Sequence, residues 1–389
     1  MKWSLVYRAR ILMNRFAVNR RRLLMSGACV AGLATTGCRS AQETNDTDFL
    51  QQAHDLLKAN PAIDIHAHPG LTFGRDATDL SPALQIAAGK PSEDRALAEM
   101  REGQLSGASF AAVADVQVLN LVGDGLGAAR DFKPGEARAS YERQIANMHR
   151  VLPALGVTFV KEPSDFRRIQ LKQGIGGFLT VEGADFLAGD IANVAGAFRD
   201  DVRSITLVHY RPNEVGDIQT AAPVTGGLSP FGADVIREMD RLGMVVDLAH
   251  ASEATVAAAM KVCSRPVICS HTHVEGRGAS HPRFISLTMA REISRRGGVI
   301  GAWPAGIGMT MLDEYVDRIL DLADVLGPEH VSLGTDMDAN FKPVFTSYKQ
   351  LPELVAALLR KGFGRKNAAG FVSGNFLRVY EAVWAGRKA

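Results

Sequence analysis

Ile63-Asp64-Ile65-His66-Ala67-His68 puts two imidazoles two residues apart at the end of a short apolar run, Ala62–His68. Four later runs also close on a residue able to hold a metal: Ile175–Glu182, Met244–His250, Val267–His271 and Val331–Asp336. With Gly107–Gln117, Ser204–His209 and Val299–Trp303 the chain has eight such runs, separated by helix-like stretches. Eight strands alternating with helices predict an α/β chain folded as a (β/α)8 TIM barrel. Functional residues of such barrels gather at the C-terminal ends of the strands, so His66, His68, Glu182, His250, His271 and Asp336 are expected to converge on one spot. Strand alternation predicts that Asp64, His66 and His68 share the face turned into the barrel. His-x-His alone fits two surface histidines equally well; its convergence with four other strand ends makes a metal site the reading.

Length and composition agree with one large enzyme domain. The 389 residues are 46% hydrophobic and 22% charged, and a formal net charge of +2 gives no long-range field to attract nucleic acid. Residues 1–39 carry Lys2, Arg8, Arg10, Arg15, Arg20, Arg21, Arg22 and Arg39 and no acid, which leaves the remainder net acidic. Asn19-Arg20-Arg21-Arg22 precedes the uncharged stretch Leu23–Cys38, too short for the ~20 residues of a spanning helix, and reads as a twin-arginine export signal. Its end, Leu33-Ala34-Thr35-Thr36-Gly37-Cys38, is similar to a lipoprotein processing site, with Thr35 where Leu is usual; Cys38 is the expected lipid-bearing residue. The expected domains are therefore a signal over 1–38, a linker and first helix over 39–57, and a catalytic barrel over 58–389. Cys263 and Cys269 are the remaining cysteines and are expected to pack as small hydrophobes, Cys269 turned into the barrel.

The connections after the first two strands, Pro69–Arg101 and Asn120–Pro153, are long and are expected to rim the mouth of the barrel. The clearest helix has Ser229 as N-cap, Pro230 in its first turn, apolar Phe231, Val235, Ile236, Met239 and Leu242, and Gly243 as its stop. Another opens at Ser252, and extra helices over Leu351–Lys361 and Gly374–Ala385 close the chain.

From about residue 58 to 385 the chain resembles the membrane (renal-type) dipeptidase family of amidohydrolase-like metal-dependent barrels. The segments that carry the resemblance include the His66 strand, Met100-Arg101-Glu102-Gly103, Val181-Glu182-Gly183, Leu207-Val208-His209, Gly227-Leu228-Ser229-Pro230-Phe231-Gly232, Asp247-Leu248-Ala249-His250, Ser270-His271, His281-Pro282-Arg283, Gly334-Thr335-Asp336-Met337-Asp338 and Gly374-Asn375-Phe376-Leu377-Arg378-Val379. The resemblance implies two Zn2+ per chain, other divalent metals being open. It gives His66, Glu182 and Asp336 to the first, His250 and His271 to the second, and Glu182 as the bridge. It also implies that Asp336 handles the proton of the attacking water, that His209 touches substrate near the scissile carbonyl, and that Arg283 holds the substrate's terminal carboxylate. His68 stands where the family usually has Asp, a swap that adds one positive charge and leaves a ligand zinc accepts equally well. The implied activity is hydrolysis of dipeptides in the cell envelope by a metal-activated water. The alternative is a related amidohydrolase cleaving N-acyl amino acids, lactams or other small amides or esters; a non-enzymatic metal-binding protein is disfavoured by the full donor set. The expected partners are a small peptide and, through Cys38, a membrane, with a homodimer left open.

Other histidines have plainer readings. His54, His149 and His330 are expected at the surface or as caps, and His281 as a structural neighbour of Pro282. Either His271 or His273 could be the ligand on its strand; His271 directly follows the apolar run and matches the family. Asp64 is open between orienting a ligand histidine and a hydrogen-bonded barrel carboxylate, and Asp338 is expected to support the site or its loop.

Overall fold

The computed structural model describes residues 35–388, apart from Asp79, Gly123, Asp124 and Ala279. Of the stretch read as an export signal, residues 1–34 lie outside the described residues, as does the side chain of Cys38. No helix among the described residues is long and apolar enough to cross a membrane.

Eight parallel strands run in chain order around the barrel: β1 (Ile63–Asp64), β2 (Gly107–Val113), β3 (Ile175–Glu182), β4 (Val202–Thr206), β5 (Val245–Asp247), β6 (Ile268–Thr272), β7 (Val299–Ala302) and β8 (Val331–Leu333). The ring closes between β8 and the segment after β1, where Ile65 N–H donates to Leu333 O (3.0 Å), Asp336 N–H to His66 O (2.9 Å) and His68 N–H to Met337 O (3.0 Å). The eight runs are thus eight strands of a (β/α)8 barrel. Most are shorter than their apolar runs, and His66, His68, His209, His250 and Asp336 lie just past regular pairing. A ninth strand, Val157–Phe159, pairs with the start of β3.

Register sets the level of the site. Val113 pairs with Glu182, Glu182 with Thr206, and Thr206 with Asp247, so the last residues of β2 to β5 stand side by side. Gly301 and Gly334 let β7 and β8 close tightly: a Cβ at either would lie within 1.8 Å of the Ser270 carbonyl oxygen.

Ile63 and Ile65 join Phe178, Val245, Ile268 and Val299, from four other strands, in one buried cluster that includes Phe376 and Tyr380 of the last helix, Asn375–Ala385. Side chains from five strands meet in the lumen, so Ile63 and Ile65 are the inward residues there. Asp64 faces the other way. Its buried carboxylate accepts from Thr335 N–H (3.0 Å), from the Thr335 hydroxyl and from Tyr348 OH (2.9 Å). The expected shared face of Asp64, His66 and His68 is therefore corrected: pairing stops at Asp64 and the chain bends over Ile65 and His66 before the bridge at Ala67.

Helices cover the outside as their signals require. Pro230–Leu242 begins with the Ser229 hydroxyl accepting from Gly232 N–H (2.9 Å), buries Val235, Ile236 and Met239, and stops at Gly243 with φ 77°. Glu253–Val262 is capped by Ser252, and Leu351–Arg360 and Asn375–Ala385 end the chain. The two long connections build the rim. The first holds a 3-10 segment, Pro69–Gly74, and helices Pro82–Ala88 and Glu93–Glu102; the second holds helix Glu136–Ala154 and an antiparallel hairpin, Leu119–Val122 with Gly125–Ala128, that the sequence reading did not foresee.

Candidate metal centre

Glu182 ends β3 at the centre of the site. Its Oε1 lies 3.3 Å from His66 Nε2, 3.1 Å from His250 Nε2 and 3.6 Å from His271 Nε2; its Oε2 lies 3.4 Å from His68 Nε2 and 3.3 Å from His209 Nε2. Asp336 Oδ1 joins at 3.4 Å from His68 Nε2. All seven residues are buried, although they come from six different strand ends. The structure therefore brings together every residue expected to bind metal. His250 (φ 66°) and Asp336 (φ 55°) reach the centre through left-handed backbone. Such conformations cost about 1–3 kcal/mol each in a non-glycine residue and concentrate at functional sites.

A second layer fixes the rings. The Arg283 guanidinium can only donate, and its Nη2 is 3.0 Å from His271 Nε2, so that nitrogen presents a lone pair. His271 Nδ1–H then donates to Ser270 Oγ (3.0 Å), and Ser270 donates to Asp247 (2.6 Å), which also accepts from Thr206 Oγ1 (2.7 Å). Arg283 itself is buried, bonded to Gln219 and placed over the Trp303 ring at 5.5 Å. His209 Nδ1 is 2.6 Å from Asp115 Oδ1, while Asp115 Oδ2 accepts from Tyr210 N–H (3.1 Å). Asp115 was not singled out in the sequence, although a lone carboxylate within Ala111-Ala112-Val113-Ala114-Asp115-Val116 was the available signal.

Electrostatics divide the histidines. Burial, with the positive charge of Arg283 and of neighbouring rings, holds His250 and His271 well below the usual imidazole range, which favours the neutral form a metal ligand needs. For His68 burial works the same way, but Asp336 and Glu182 outweigh it and raise the ring to about 10. His209 is likewise raised against its burial, by Asp115 and Glu182. Glu182 is held well below the carboxylate range: burial opposes ionisation, and the surrounding imidazoles, His209 and His66 first, overcome it. Behind Asp115, burial and the charge of Asp115 push Asp185 up to about 7, against hydrogen bonds from Asn213 and Arg211.

These residues fit a metal. Donors bound at about 2.0–2.1 Å to a tetrahedral ion stand about 3.3 Å from one another, which is the spacing found here. Buried His66 Nε2 lies 3.3 Å from Glu182 yet makes no hydrogen bond, an arrangement that costs free energy unless something else engages the nitrogen. His66, His68 and Glu182 form one group with ligand atoms within 4.8 Å of one another, and Glu182, His209 and His250 a second. Imidazole and carboxylate donors suit zinc and neighbouring first-row ions.

Other predicted residues lie apart. His273 meets Arg277 O at 3.1 Å and packs edge-on against Phe284, outside the cluster. His281 Nδ1 accepts from Arg283 N–H (3.2 Å). Asp338 accepts from Arg95 through both oxygens (2.8 Å each) and from Gly70 N–H (2.7 Å), holding the rim to β8. His54, His149 and His330 bond Gln104, Asp200 O and Gly298 O. Cys263 and Cys269 are free and buried.

A barrel that gathers buried imidazoles and carboxylates at the C-terminal ends of its strands belongs to the metal-binding (β/α)8 class. Within it, this chain belongs to the membrane dipeptidase family (peptidase family M19), whose model matches residues 50–388. It is 30% identical over 216 residues to dipeptidase verJ of Clonostachys rogersoniana, covering 54% of this chain and 55% of that protein. It is 32% identical over 191 residues to dipeptidase tcpJ of Claviceps purpurea (strain 20.1), covering 47% and 45%. The chain thus spans about half the length of the curated relatives it matches. The fold is shared with the probable dipeptidase PvdM from Pseudomonas aeruginosa (TM-score 0.71, 19% identity, 87% of this chain and 99% of that one). It is also shared with a metallopeptidase from Rhodobacter sphaeroides liganded with a phosphinate mimic of the dipeptide L-Ala-D-Ala (TM-score 0.70, 18% identity, 84% and 99%).

Proposed function

We propose that this chain is a zinc-dependent dipeptidase with a two-metal site. The observation that carries the reading is the convergence of His66, His68, Glu182, His250, His271 and Asp336 on one buried centre with Arg283 beside it. His66, His68, Glu182 and Asp336 would hold one ion, and Glu182, His250 and His271 the other. When bound, such ions polarise a carbonyl and make a water a nucleophile near neutral pH.

The chain's own residues would do the rest. Arg283 lies next to His271 and can grip a terminal carboxylate through two parallel hydrogen bonds, which limits the substrate to a short peptide. Asp336 stands at the edge of the cluster, where its carboxylate can take a proton from water and return it to the leaving amine. His209 lies within ligand reach of Glu182 and His250, but we assign it to the substrate. Against burial, Asp115, a carboxylate outside the donor set, shifts the ring together with Glu182 toward its protonated form, the form that can donate to a developing oxyanion. His68 differs because both carboxylates that raise it are themselves donors, and a bound cation would replace its proton.

His68 in place of a carboxylate favours one second reading, hydrolysis of N-acyl amino acids, lactams or other small amides or esters. Initial rates on dipeptides, N-acyl amino acids and lactams with zinc-loaded protein test the two: the proposal expects dipeptides to be turned over fastest, and dipeptides left intact beside cleaved N-acyl amino acids would replace it. Export by the twin-arginine route and lipid attachment at Cys38 complete the proposal, supported by Arg20-Arg21 and the uncharged stretch that ends at Cys38.

A further inference from the structure

The cavity over the donor cluster, about 200 Å3, has two chemically different sides. His271 and Trp303 stand on one, with Arg283 against both. The opposite wall is apolar: Leu71 and Phe73 from the 3-10 segment after β1, Leu84 from helix Pro82–Ala88, Val116 just past β2, and Leu119 and Leu126 from the two strands of the hairpin. Phe73 meets the His68 ring edge-on at 5.2 Å, so this wall begins at the donors themselves. Its side chains form a hydrophobic cluster separate from the barrel core, with Tyr210 packed against it. Both long connections contribute, so the wall is assembled above the barrel rather than being an exposed part of its core.

We infer that this wall is the subsite for the side chain on the acyl side of the scissile bond, and that the protein selects dipeptides whose first residue is bulky and apolar. The inference rests on the dipeptidase reading for its direction. With the terminal carboxylate at Arg283 and the scissile carbonyl over Glu182, the preceding residue is left facing Phe73. Among the described residues outside the donor cluster, the carboxylate lining this cavity is Asp338, and Arg95 already neutralises it through both oxygens. A cationic first side chain would therefore lose water without gaining a partner, whereas each apolar carbon seated on the wall gains affinity.

The test measures binding of non-hydrolysed phosphinate pseudodipeptides, X followed by Ala with X as Ala, Leu, Phe or Lys, to zinc-loaded protein by titration calorimetry. Initial rates on the matching dipeptides are taken in parallel. Leu and Phe are expected to bind at least about tenfold more tightly than Ala, and Lys more weakly than Ala. Leu126→Asp should bring the Leu-to-Ala ratio near one and lift Lys above Ala, and Leu126→Ala should lower the ratio with less disturbance of the hairpin. Equal binding of Ala, Leu and Phe, or a preference for Lys, in the unmodified protein would overturn the subsite. Intact apolar order in binding, with no dipeptide hydrolysed, would refute the dipeptidase reading and leave the subsite standing.

Discussion

Asp115→Asn isolates what a carboxylate does behind His209. Asp115 accepts at both oxygens, from His209 Nδ1 at 2.6 Å and from Tyr210 N–H at 3.1 Å, and it is fully buried. An amide of the same shape can accept at one end only; at the other its NH2 must face an N–H. The interaction lost is a charge-assisted hydrogen bond, worth about 1.5–3 kcal/mol. If the ring orientation it sets is needed at the transition state, kcat/KM on a good dipeptide should fall about 10- to 150-fold. Zinc content should not change, because Asp115 is bonded to none of the assigned ligands. Steady-state kinetics with metal analysis read both quantities. The double variant sharpens the test: in a His209→Ala background, Asp115→Asn should cost nothing further, because a positioning residue acts only through its partner. An unchanged kcat/KM in the single variant, or equal losses with and without His209, would refute the reasoning.

Arg283→Ala should lower kcat/KM about tenfold or more on dipeptides with a free carboxylate and leave amidated ones little changed; equal losses on both would remove Arg283 from that role. His68→Ala should lose metal and activity, whereas His68→Asp should keep two metals and turnover, and an alanine variant with full metal content would show that the ring is no ligand. In EDTA-stripped protein the His68 ring, raised from about 6.5 unfolded to about 10 folded by Asp336 and Glu182 once burial is overcome, contributes stability that is fully present below about 6.5 and lost as pH climbs towards 10. Denaturant titrations of stripped protein should show that decline, and His68→Gln should flatten it; parallel curves for the two would contradict the assignment. Changing Arg20 and Arg21 together to Lys should hold precursor in the cytoplasm, and an envelope form whose mass includes an intact Met1 or Met13 would refute cleavage before Cys38.

The barrel was legible because each strand is an apolar run that stops at a polar residue, and β3 matches its run from Ile175 to Glu182, paired with β2 from Gly176 and with β4 from Leu179 up to Glu182. Where the chain leaves pairing, period-two reasoning loses its basis. Asp64 turned outward to Thr335 and Tyr348 because the bend at Ile65 and His66 breaks the alternation assumed for that run. His250 and Asp336 reach the centre through left-handed backbone that no run length encodes. The hairpin did leave a signal, Gly123-Asp124 between two short runs, which reads as a two-residue turn. Four-residue strands inside a long rim connection obscured it. Pairings such as Asp115 with His209, or Phe73 with His68, join residues far apart in sequence on separate elements, so only the closed barrel brings them into contact.

The central claim is tested most directly by stripping the protein with EDTA, confirming that it stays folded, and titrating zinc back while counting bound metal and dipeptide hydrolysis on the same samples. The account predicts two zinc ions per chain, with hydrolysis appearing as the sites fill and disappearing in a Glu182→Gln variant, which loses the shared carboxylate. Folded protein that hydrolyses dipeptides at full rate without metal, or that binds two zinc ions and cleaves no dipeptide bearing a free carboxylate, would contradict it.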